Sequence, residues 1–139
     1  MLVLSPELVK FGSAAWTDVT LVAVDRETTR PAPEWGDLGP HVTFVDAPER
    51  RTTIRIIRRL LRDDLGAPRP GDSAEVVFYT SPAAADALRK RVRAAAVVTT
   101  VAYELSKARG ALQTITMICV SSDGAAEPVI VEDAPDGGV

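Results

Sequence analysis

Runs dense in β-branched and aromatic side chains recur along this chain, and each is cut off by proline, glycine or a charge cluster before it grows long. Val19–Val24, Thr52–Ile57, Val76–Tyr79, Val97–Val101 and Thr114–Val120 are such runs. Side chains branched at Cβ lose rotamer freedom in a helix and fit the pleated surface of a sheet, so this pattern constrains the chain to a mainly β fold. At 139 residues the chain is of single-domain size and can bury enough surface to hold a core without disulfides or a structural metal. One domain over residues 1–132 is expected, followed by an acidic, glycine-rich tail over 133–139 that frays.

The punctuation between runs sets the order of elements. Trp16–Glu27 reads as a strand, and Thr28–Pro40, with Pro31, Pro33, Gly36, Gly39 and Pro40, reads as a long loop because proline cannot donate to a ladder. Trp35 sits in that loop, either folded back on the core or ordered by a partner. His41–Val45 reads as a short strand. The stretch Asp46–Gly66 satisfies two periods: a helix capped by Asp46 and Glu49 with Ile54, Ile57, Leu61 and Leu65 on one face, or a strand in which Thr52-Thr53-Ile54-Arg55-Ile56 alternates. Gly66–Asp72 is a turn and Ala74–Tyr79 a strand. Ser81-Pro82 is a helix start, predicting a short helix over Pro82–Val92. Ala94–Leu105 and Leu112–Val120 predict a hairpin turned at Lys107–Gly110, and Pro128–Val131 a last strand.

Reactive groups are few. His41 is the only histidine and Cys119 the only cysteine, so no zinc-type ligand pair exists and no internal disulfide can form. Cys119 lies between Ile118 and Val120, an apolar setting that suppresses the thiolate. Gly66 to Gly71 has the spacing of a phosphate loop, but Asp72 stands where its lysine must be. Asp63-Asp64, Asp25, Asp46 and Asp123 match no calcium loop and read as turn residues. No cofactor, no metal and no enzymatic activity is expected; a small enzyme using Asp63, Asp64, His41 or Tyr103 has the least support. Pro6 and Glu7 interrupt what a signal peptide requires, and no apolar stretch is long enough for a membrane helix, so a cytoplasmic product without membrane association is expected.

Charge is uneven under a formal net of −3. Arg50, Arg51, Arg55, Arg58, Arg59 and Arg62 crowd one segment, and Arg89, Lys90, Arg91 and Arg93 another. A cationic patch on an acidic protein is suited to one side of a subunit contact, so the first cluster, together with Trp35, forms the candidate subunit interface. The alternative is a nucleic-acid-binding or regulatory domain using residues 49–62 as a cationic helix, although no aromatic residues interleave to stack bases.

The order is strand, long Pro/Gly loop, strands, one helix near the middle, a long hairpin and a last strand. It resembles the tail-tube protein family of long-tailed bacteriophages, whose fold is shared with the tubes of contractile injection machines and type VI secretion. The likeness is carried by Val19–Arg26 leading into the extended loop, Thr52–Leu61 as a strand, the Pro82–Val92 helix, and Gly110–Val131 with Ser122-Asp123-Gly124 and Pro128-Val129. It implies a β-sandwich or partly closed barrel with a flanking helix, and it selects the strand for Thr52–Leu61. It further implies a virion protein of the tail, made in the host cytoplasm, whose six copies form rings that stack into a DNA conduit. The partners so implied are sister copies, other phage tail proteins, and DNA in transit without specific binding. Trp35 would anchor contact with the adjacent ring, and acidic lumen side chains would repel passing phosphates.

Overall fold

Seventeen consecutive residues, Lys90–Ser106, form one strand about 55 Å long, and the rest of the fold is arranged along it. The computed structural model describes residues 2–3, 7–60, 66–80, 90–108 and 110–133. In chain order the strands are β1 (Leu2–Val3), β2 (Glu7–Phe11), β3 (Ala14–Ala15), β4 (Val19–Thr28), β5 (Ala32–Trp35), β6 (Val42–Asp46), β7 (Arg50–Leu60), β8 (Ser73–Thr80), β9 (Lys90–Ser106), β10 (Gly110–Cys119) and β11 (Val129–Asp133). All pairings are antiparallel, and no α-helix occurs among the described residues.

The main sheet runs β1-β4-β7-β10-β9-β8-β2-β3, with β11 also against β9, while β5 and β6 pair only with each other. Along one edge of β9, β11 covers Lys90–Ala94 and β10 covers Ala96–Ser106; along the other, β8 covers Lys90–Val97. The two halves of β9 therefore belong to different layers. One layer is β1-β4-β7-β10 with the second half of β9. The other is β11, the first half of β9, β8, β2 and β3. The mainly β, sandwich-like fold is as expected, and its sheets are not closed into a barrel.

Alternation decides which residues fill the space between layers. Ile54 and Ile56 on β7, Val22 and Val24 on β4, Ile115 and Met117 on β10, Val76 and Phe78 on β8, and Val92 to Val98 at every second position on β9 are all buried in one cluster. Between Val98 and Thr100 the register shifts by one residue: Met117 pairs with Val98 but Thr116 with Thr100, so Thr99 is an extra residue in β9. Its hydroxyl donates to the carbonyl of Thr116 at 3.2 Å. Such a bulge bends the strand and changes which parity faces inward, which is how one strand serves both layers.

Two expectations are corrected. Thr28–Pro40 is not a loop: it contains β5, which pairs with β6 through Pro33 opposite Val45. Proline is tolerated there because a two-stranded ribbon is all edge. The proposed helix over Pro82–Val92 lies outside the described residues up to Arg89, and Lys90–Val92 are strand, paired with β8 and β11. The strand expected over Thr52–Leu61 is present, as Arg50–Leu60 among the described residues, and prevails over the competing helical period of Asp46–Gly66 because β4 and β10 on either side satisfy its backbone. Residues 61–65 and 134–139 lie outside the described residues.

Candidate functional site

The β5–β6 hairpin stands off the sandwich as an arm. At its base Thr29 donates its amide to the Glu49 carbonyl at 3.1 Å, Thr28 adds its hydroxyl to the same carbonyl at 2.9 Å, and Arg30 pairs with the Glu49 carboxylate at 3.5 Å. Every residue of β5 and β6 is exposed. Trp35 is 59% exposed and Phe44 56%, so the tryptophan does not fold back onto the core.

The pairing sorts the arm into two faces. Residues directly opposite in an antiparallel pair lie on one side. Pro33 is opposite Val45 and Trp35 opposite Val42, with the register shifted around Thr43, so these four side chains make an apolar face. Ala32, Glu34, Phe44 and Asp46 lie on the reverse. Glu34, Asp37 and Asp46 form no ion pair among the described residues. Sequence reasoning selected Trp35 but missed Val42, Phe44 and Val45. The available signal was that the short strand ending at Val45 and the Trp35 segment flank the Gly36–Pro40 turn.

The arginine cluster is divided by the strand's period of two. Arg51, Arg55 and Arg59 lie on the outward face of β7 and are exposed. Arg51 donates to Glu27 on β4 at 3.0 Å, whereas Arg55 and Arg59 form no ion pair among the described residues. Arg50 is exposed at the margin, and Arg62 lies outside the described residues. Arg58 is corrected outright as an interface residue: it points inward and is only 6% exposed. Its Nε donates to Gln113 Oε1 at 2.8 Å, and its guanidinium lies 5.5 Å from the centre of the Trp16 ring, which stacks on Phe11. Gln113 Nε2 in turn donates to the Ala67 carbonyl at 3.1 Å and to the Tyr103 hydroxyl at 3.2 Å. This is a buried polar tie across β7, β10 and β9 of one layer, completed by the backbone carbonyl of Ala67 in the turn before β8.

Of the second basic cluster, Lys90, Arg91 and Arg93 are paired in place, and Arg89 lies outside the described residues. Glu132 on β11 accepts from Arg91 at 2.6 Å and from Arg93 at 3.0 Å, and Lys90 pairs with Asp133. The Arg91 hydrogen bond holds the Glu132 carboxyl below the usual range. Asp123 is likewise lowered, by the amides of Ala126 and Ala125 at 2.8 and 2.9 Å, which fixes it as a turn-capping residue. Burial pushes the Cys119 thiol up to about 11, matching its expected inert role. His41 is exposed on the arm, and no group of three metal-binding side chains gathers among the described residues.

The layer of β1, β4, β7, β10 and the second half of β9, the front layer, has two borders that carry no neighbouring strand among the described residues: β4 at Arg26–Thr28 and β9 at Thr100–Ala102, on opposite sides of the same sheet. No family model matches the chain, and no curated protein matches its sequence.

Proposed function

We propose that this chain is a structural subunit of the phage tail-tube kind, which builds by contact between its own copies: six close a ring and rings stack into a DNA conduit within a virion tail. The observation that carries this reading is the arm. A sandwich with a complete core holds out a hairpin with four apolar side chains on one face, at a cost in exposed apolar surface that a partner removes. The two bare borders of the front layer support it further, because joining the β4 border of one copy to the β9 border of the next extends the sheet head to tail and leaves no edge in a closed ring. The outward face of that layer mixes Arg51, Arg55 and Arg59 with Asp25, Glu27 and threonines, a wettable surface without a strong excess of one sign.

A second reading rests on Arg55 and Arg59, exposed and unengaged by carboxylates, as a phosphate-contacting surface of a nucleic-acid-binding protein. Negative-stain microscopy of the purified chain at high concentration separates the two. Rings or tubes with sixfold symmetry support the first reading. Dispersed particles with salt-dependent affinity for duplex DNA overturn it in favour of the second.

A further inference from the structure

The two ends of β7 carry complementary surfaces. At the Arg50 end the arm departs, reaching about 30 Å from its base to its turn if fully extended. Its chain from Thr29 to Glu49 contains one arginine, Arg30, against Glu34, Asp37, Asp46 and Glu49, so it is acidic as well as apolar. At the other end Leu60 pairs with Ala111, and Ala111 with Leu105, beside the β9–β10 turn. There the inward face outruns the core: Leu105 is 68% exposed. Leu105, Ser106, Lys107, Gly110 and Ala111 line a shallow concavity of about 400 Å³. Lys107 at its rim and Arg59 on β7 are exposed and form no ion pair among the described residues; Glu104 lies two strands from Arg59, and the Asp18 carbonyl accepts the Arg59 amide at 3.0 Å.

We infer that the concavity at the β9–β10 turn is the seat for the arm of a second copy, with Trp35 against Leu105 and Ala111 and the acidic turn beside Lys107. The occupant is a sister chain because one surface is apolar and acidic, the other apolar and basic, and both belong to this sequence. They sit at opposite ends of one strand, so no single copy brings them together. Two antiparallel copies side by side would close the contact as a pair, whereas copies placed end to end repeat it heterologously along the strand direction; the stacked rings of the assembly reading select the second arrangement. This inference rests on the assembly reading above and adds the receptor that the arm engages.

Cysteines placed at Trp35→Cys and Leu105→Cys in a Cys119→Ala background, treated with a short bismaleimide, test it. Both positions are exposed, so the fold tolerates the changes. The expected result is a ladder of covalent multimers beyond the dimer in the double variant and none in either single variant. Efficient dimers from Trp35→Cys alone overturn the seat, since arms would then pair with arms, and a double variant whose cross-linking stops at the dimer overturns the end-to-end repeat in favour of a closed pair. Tubes by microscopy without a ladder overturn the seat while the tube reading stands, and a ladder without tubes keeps the seat and removes that reading. Neither ladder nor tubes overturns both. Lys107→Glu lowers the ladder yield by about threefold at low salt, and Asp37→Lys restores it; an unchanged yield overturns the charge match.

Discussion

Arg58 shows how much one position depends on the parity of its strand. Among six arginines in thirteen residues, it alone of those described is turned into the core, where a guanidinium is tolerated because Gln113 accepts its Nε–H and Trp16 offers a ring face. Gln113→Leu removes that acceptor while keeping the volume. Chemical denaturation should show a loss of about 1–3 kcal/mol, and an unchanged midpoint would contradict the account. Cys119 gives a second check at this scale. With its thiol pushed up to about 11 and its side chain buried, it should resist a thiol reagent at pH 8 in the native protein and react fully in denaturant. Rapid native labelling would place it at the surface instead. The inertness of Cys119 could be read from Ile118 and Val120 on either side. The burial of Arg58 could not, because a cluster of like charges reads as a surface until the strand is known to be two-sided.

Among the elements, the arm carries the functional argument. Replacing residues 31–47 with a short Asn-Gly connection should leave the denaturation midpoint within about 0.5 kcal/mol of the parent, because the arm's exposed strands contribute nothing to the core cluster. The same variant should lose the stacking of rings, while the β4–β9 contact that closes a ring remains. A large loss of stability would mean that the arm packs on its own body. The strand runs of the sandwich were readable from β-branched density, and β7 followed once its neighbours were considered. The arm was not readable as a hairpin, because Pro31 and Pro33 argue against any ladder and only an isolated ribbon, with free edges, accommodates them. The bulge at Thr99 was also hidden. Val97 to Val101 looks uniform in sequence, and the extra residue is revealed only by Thr116 pairing past it.

At the level of the whole molecule, a single long strand joins two layers, closes a core without a helix among the described residues, and leaves an arm at one end and an uncovered hairpin turn at the other. Those leftovers, with the bare borders of β4 and β9, are what a building unit requires and what a solitary domain avoids. Sedimentation velocity of the full chain over a wide concentration range tests this most directly. The account predicts that the 14.8 kDa species gives way to a hexamer and then to larger stacked particles as concentration rises. A boundary that stays at 14.8 kDa at every concentration would contradict it.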